Sequence, residues 1–109
     1  MADCIFCKIR DREIPKEFTY EDEDLMVFPD INPAKPVHIL IVPKKHMVDL
    51  MELSDDKLLA KINKKIQDVI SAERLTRNGF NISTNGGGYQ IIDHLHFHVK
   101  GPMGERDTL

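Results

Sequence analysis

The chain has 109 residues, 41% of them hydrophobic and 30% charged, with a formal net charge of −3. That is the size and balance of one soluble domain spanning residues 1–109, without the basic excess of a dedicated nucleic-acid binder. No apolar run approaches the ~20 residues of a membrane span, and Met1-Ala2-Asp3-Cys4 lacks the basic region and apolar stretch of a signal peptide, so a cytoplasmic chain with no membrane partner is expected.

Residues Cys4 to Glu13 read as a short helix carrying apolar Ile5, Phe6 and Ile9, ended by Ile14-Pro15. Phe18 to Asp22 and Leu25 to Phe28 read as a hairpin around a Glu23-Asp24 turn. Two prolines mark Asp30 to Pro36 as a loop. Val37-His38-Ile39-Leu40-Ile41-Val42 is almost wholly apolar, the pattern of a central strand buried on both faces, and Pro43 stops it. Ser54 can cap a second helix, with Asp55 and Asp56 favouring its positive end. Leu58, Leu59, Ile62, Ile66, Val69 and Ile70 keep helical spacing to about Leu75, with Gly79 as a stop. Phe80 to Ser83 reads as another strand, Asn85 to Gly88 as a turn, and His94 to Val99 as the last strand. This order predicts an α+β domain: an antiparallel sheet of about five strands, one long helix on a face and a short N-terminal helix.

The last strand carries the chemistry. In His94-Leu95-His96-Phe97-His98-Val99, alternation sends three imidazoles to one face, roughly 7 Å apart from the rise of a strand, and Leu95, Phe97 and Val99 into the core. Imidazole is nucleophile, proton carrier and metal ligand near neutral pH. The preceding Asn85-Gly86-Gly87-Gly88-Tyr89-Gln90 is glycine-rich, and such a turn lets backbone N–H groups approach an anion such as phosphate. His38 interrupts an apolar strand, as a core histidine or a fourth site residue. Cys4 and Cys7 form a C-x-x-C with no strand before it, which favours half a metal site over a redox pair, the bland alternative being two free thiols.

These residues resemble the histidine triad superfamily of nucleotide hydrolases and transferases, whose signature alternates histidine and apolar residues as His94 to Val99 do. The likeness extends along the chain through Ile5-Phe6-Cys7-Lys8-Ile9, Glu13-Ile14-Pro15, Phe28 to Pro33, His38 to His46, and Gln90, and is greatest to the small branch that includes purine nucleoside phosphoramidases. The signature's last apolar position is Lys100 here, for which a local effect on the strand end is expected. Three residues before His94, where phosphoramidases often carry a serine that helps the leaving group, stands Ile91. The chain also ends in Glu105-Arg106-Asp107-Thr108-Leu109 without the aromatic-proline tail of some members.

The resemblance implies that His96 is the nucleophile, attacking the α-phosphorus of a purine nucleotide phosphoramidate, ester or anhydride to give a nucleotidyl-histidine. It implies that His98 and His38 contact the phosphate, with Asn85 and Gln90 nearby. Asp30 would grip the ribose, and Ile5, Phe6, Ile9, Phe28 and Ile31 would line the slot for the base; on composition alone these five are ordinary core. It further implies a structural Zn²⁺ held by Cys4, Cys7, His46 and His94, no organic cofactor, and a homodimer. Hydrolysis of dinucleoside polyphosphates, nucleotidyl transfer, and a nucleotide sensor without turnover stay open. A zinc-dependent nucleic-acid module fits poorly, because 38 residues separate Cys7 from His46 and 47 separate His46 from His94, and the net charge is acidic.

Overall fold

The computed structural model describes residues 4–104. In chain order they form α1 (Ile5–Arg10), β1 (Tyr20–Glu21), β2 (Leu25–Pro29), β3 (Val37–Pro43), a 3-10 turn (Leu50–Glu52), α2 (Asp56–Ala72), β4 (Asn81–Ser83) and β5 (Phe97–Gly101). The five strands make one antiparallel sheet in the order β1-β2-β3-β5-β4, so the expected α+β architecture holds. The C-terminal pentapeptide singled out in the sequence lies outside the described residues.

The period of two in the strands sorts side chains between two cores. On one face Val27, Ile39, Ile41, Phe97 and Val99 pack with Leu95 against Ile62 and Val69 of α2. On the other, Met26, Phe28, Leu40 and Val42 meet Phe6, Cys7 and Ile9 of α1. Because β3 pairs His38 with Lys100 and Leu40 with His98, the polar members of β3 and β5 share the α1 face. The fully apolar stretch Ile39–Val42 occupies the middle of the sheet, as its composition requires.

Several boundaries differ from the sequence reading, each for a local reason. Asp55, not Ser54, caps α2, its carboxylate accepting from the N–H groups of Lys57 and Leu58. The helix stops at Ala72 because Arg74 adopts a left-handed φ of 60°, with the Leu75 N–H returning to Ile70 O at 2.9 Å. This sends Leu75 back into the core as a loop residue. α1 ends the same way at Arg10: Arg12 has φ 65° and the Glu13 N–H donates to Lys8 O at 2.8 Å. Both stops are Schellman arrangements with arginine where glycine is usual, so no glycine marks them and the real stop precedes Gly79. β1 is shorter than expected because the Asp22 carboxylate accepts from Asp24 and Leu25 N–H groups and turns the chain.

The main correction concerns the histidine segment. β5 begins only at Phe97, so His94, Leu95 and His96 precede the strand. The His94 N–H donates to Ile92 O and the Leu95 N–H to Met47 O, bonds outside the sheet ladder. The in-and-out alternation survives, with Leu95, Phe97 and Val99 in the α2 core. The spacing does not: the His96 and His98 rings lie 4.9 Å apart, centroid to centroid.

Candidate functional site

Two clusters on the α1 face share the segment 94–98. The first gathers Cys4, Cys7, His46 and His94, whose four ligand atoms all lie within 4.8 Å of one another. Cys4 caps α1, with its Sγ accepting from the Cys7 N–H, and this first turn brings both thiols to one end of the helix. His94 Nδ1 lies 3.2 Å from Cys4 Sγ, and His46 Nδ1 lies 3.3 Å from Cys7 Sγ. A tetrahedral site with ordinary metal–sulfur and metal–nitrogen bonds has sulfur–nitrogen separations of roughly 3.6 Å, so these two pairs need to open by only a few tenths of an ångström around an ion.

The far nitrogen of His94 fits as well. His94 Nε2 is 2.7 Å from Pro43 O, so the ring carries its proton there and turns the Nδ1 lone pair to the thiols. Metal-bound histidines are held in this way by a carbonyl on the far nitrogen. Burial pushes His94 down to about 4, and burial with the neighbouring Cys4 pushes the Cys7 thiol up to about 11. The four residues can hold a metal, whose charge would favour thiolate and unprotonated imidazole alike.

The second cluster faces a cavity of about 280 Å³ between α1, β2 and the loop after β2. His96, His98 and Asp30 line it, and Phe6, Ile9, Phe28 and Ile31 form apolar walls with Ile5. His96 Nδ1 lies 2.8 Å from His94 O. A carbonyl only accepts, so Nδ1 carries the proton and Nε2 presents a lone pair. The Phe6 ring meets both rings edge-on, 5.1 Å from His96 and 5.6 Å from His94, and so holds both imidazoles in place.

His98 is oriented by a longer chain. The Ala34 N–H donates to His38 Nδ1 at 3.0 Å, so the proton of His38 is on Nε2. His38 Nε2 lies 2.9 Å from His98 Nδ1, which must accept. The proton of His98 is therefore on Nε2, available as a donor. Asp30 Oδ2 lies 3.5 Å from His38 Nε2 and supports the same tautomer. Asp30, His38 and His98 are also close enough to gather round an ion, but the Ala34 and His98 partners occupy both nitrogens of His38. Burial, then His96 and His38, hold His98 down at about 4, and burial lowers His38. Lys100, directly across from His38, lowers both further, so its effect reaches the site and is not confined to the strand end.

The glycine turn does not offer its amides as expected. The Gly87 N–H donates to Asp49 Oδ2 at 2.8 Å, the Gly88 N–H to Gln90 Oε1, and the Tyr89 N–H to Gly86 O. Gly86 is needed because a Cβ there would come within 2.9 Å of Asp49 Cβ. Gln90 is buried with its amide on Val48 O, and neither it nor Asn85 lines the cavity. Sequence reasoning missed Asp49, which pins the turn, and Lys16, which lines the cavity with its Nζ 4.9 Å from the centre of the Phe28 ring. An isolated lysine after Pro15 carries no sequence signal for such a place. Ile91 stands at the cavity mouth, 99% exposed.

Residues 3–108 match the family model described as "Scavenger mRNA decapping enzyme C-term binding". The sequence is 43% identical over 105 residues to Protein HitA of Neisseria gonorrhoeae, covering 93% of this chain and 97% of that one. It is 36% identical over 105 residues to adenosine 5′-monophosphoramidase HNT1 of Candida albicans, covering 90% of this chain and 69% of that protein. A HIT family hydrolase from Clostridium thermocellum superposes with a TM-score of 0.85 at 38% identity, covering 97% of each chain. A histidine triad protein from Clostridium difficile gives 0.86 at 36% identity, covering 100% of this chain and 98% of the other.

Proposed function

Because the chain belongs to the histidine triad family, we propose that it is a hydrolase acting at the α-phosphate of a purine nucleotide through a nucleotidyl-His96 intermediate. The observation that carries this reading is the 2.8 Å bond from His96 Nδ1 to His94 O, which leaves Nε2 as the free nucleophile facing the cavity. In the first step a bond forms between His96 Nε2 and the α-phosphorus while the bond to the leaving group breaks. The Nε2–H of His98, set by the Ala34–His38 chain, donates to the phosphoryl oxygens or to the departing atom. In the second step water attacks phosphorus and the His96 nitrogen departs.

Asp30 accepts from the ribose hydroxyls, and the walls of Phe6, Ile9, Phe28 and Ile31 take the base. Asn85 and Gln90 act at one remove, through the turn that Asp49 anchors. Cys4, Cys7, His46 and His94 hold Zn²⁺ in a closed, structural site that ties α1 to the sheet. The edge strand β4 leaves main-chain groups on its outer side that can pair with a second copy, as a homodimer in the cytoplasm. Phosphoramidase activity is supported by the Candida relative's name. An anhydride substrate or nucleotidyl transfer is the second reading, favoured by Ile91, which puts no hydroxyl at the mouth to protonate an amine.

The test is a panel of adenosine and guanosine phosphoramidates, phosphosulfates and dinucleoside polyphosphates ranked by kcat/KM. Turnover of phosphoramidates above the rest supports the first reading, and a ranking led by anhydrides the second. Nucleotide binding with no turnover of any member would make the protein a sensor and overturn both.

A further inference from the structure

We propose that Lys16 selects the base, favouring nucleotides of 6-oxopurines over those of adenine. This rests on the nucleotide-site reading above. Among the described residues lining the cavity, Lys16 is the one lysine or arginine, in walls that are otherwise largely apolar. It lies in the loop after α1, half-buried, and its ammonium sits over the face of Phe28.

The register of the sheet places that ammonium at the base end. Phe28 pairs with Leu40, and Leu40 with His98, so the three form one row across β2, β3 and β5. Two strand spacings, roughly 10 Å, separate Phe28 from His98. A nucleotide with phosphorus at His96 and His98 and its ribose at Asp30 therefore brings its base to Phe28 and Lys16. A purine stacked on Phe28 moves the ammonium from the ring face to the purine edge, a shift the flexible four-carbon stem permits.

An ammonium offers three donors and no acceptor. The corner between the two polar edges of a purine is its 6-substituent. In guanine and hypoxanthine it is an acceptor oxygen beside the acceptor N7, and in adenine it is an amino donor. At that corner the ammonium can bridge O6 and N7 of a 6-oxopurine, whereas adenine offers it N7 alone beside an opposing amino group. Partial burial against the aromatic ring strengthens the distinction, because water competes less there.

Titration calorimetry with GMP, IMP and AMP on the intact protein, its Lys16→Met variant and its Lys16→Arg variant tests this. The wild type should bind GMP and IMP about tenfold more tightly than AMP. IMP isolates the 6-oxo group, since it lacks the 2-amino group of GMP. Lys16→Met should bring the three affinities within about twofold, and Lys16→Arg should keep the preference; both substitutions are on a loop, and thermal melts check that folding is intact. Equal binding of IMP and AMP by the wild type, or a preference that persists in Lys16→Met, overturns the inference while leaving the nucleotide site standing. Failure of all three nucleotides to bind overturns the site reading and the inference together.

Discussion

His94 and His96 stand two residues apart, both are buried, and each gives one ring proton to a backbone carbonyl. They do so from opposite nitrogens. His94 donates from Nε2 to Pro43 and leaves Nδ1 to the thiols, whereas His96 donates from Nδ1 to His94 and leaves Nε2 to the cavity. One residue type thus turns a lone pair to the thiols in one case and to the cavity in the other, because different carbonyls fix different tautomers. The two arrangements are also joined: His94 meets the thiols with its ring and orients His96 with its main-chain carbonyl.

The comparison breaks most visibly at His96. His96→Ala should lower kcat by roughly 10⁴-fold or more, as loss of a nucleophile does, while nucleotide affinity measured by calorimetry stays near that of the wild type. Preserved turnover would remove the distinction between the two rings. At His38 the effect is smaller. His38→Ala frees His98 to take either tautomer and should lower kcat by about 10²-fold with little change in KM, read from steady-state kinetics on both variants.

On the metal side, the protein should carry about one zinc per chain by elemental analysis, and Cys4→Ser/Cys7→Ser should lose it. That variant should melt at least about 5 °C lower yet keep measurable turnover, because a closed site performs no chemistry. A metal-free wild type after incubation with zinc at neutral pH would contradict this.

Much of this contrast was legible in the sequence. Alternation alone separates Leu95, Phe97 and Val99 from the histidines, and the structure keeps that division although the strand starts at Phe97. The joining of Cys4 and Cys7 to His46 and His94 came from family resemblance, since no spacing rule spans 38 and 47 residues. What could not be read was set by backbone partners. The carbonyls of Pro43 and His94 and the amide of Ala34 decide the tautomers, and every residue has such groups. The left-handed Arg12 and Arg74 that follow the helix ends were hidden for a related reason: local backbone hydrogen bonds hold them in a conformation arginine rarely adopts, so the residue type gives no signal.

The smallest expected effect is on pH dependence. Burial holds His98 at about 4 in the folded protein, against an ordinary 6.5. Between those values the unfolded chain binds a proton that the folded chain does not, so stability is fully present above 6.5 and falls as pH drops toward 4. His38, also lowered by burial, adds in the same direction. The urea midpoint should therefore decline steadily from pH 7 to 4.5, and a midpoint that rises on acidification would contradict the assignment of uncharged rings.

The most direct test of the account is to trap the intermediate. Rapid acid-free quenching of the protein with a reactive nucleotide substrate, followed by peptide mapping under conditions that spare phosphorus–nitrogen bonds, locates the nucleotidyl group. The tautomers predict a single adduct on His96 Nε2, formed at the rate of the first turnover and absent from His96→Ala. An adduct on His98 or His94, or full-rate turnover with no adduct formed, would contradict the central claim that one carbonyl makes His96 the nucleophile.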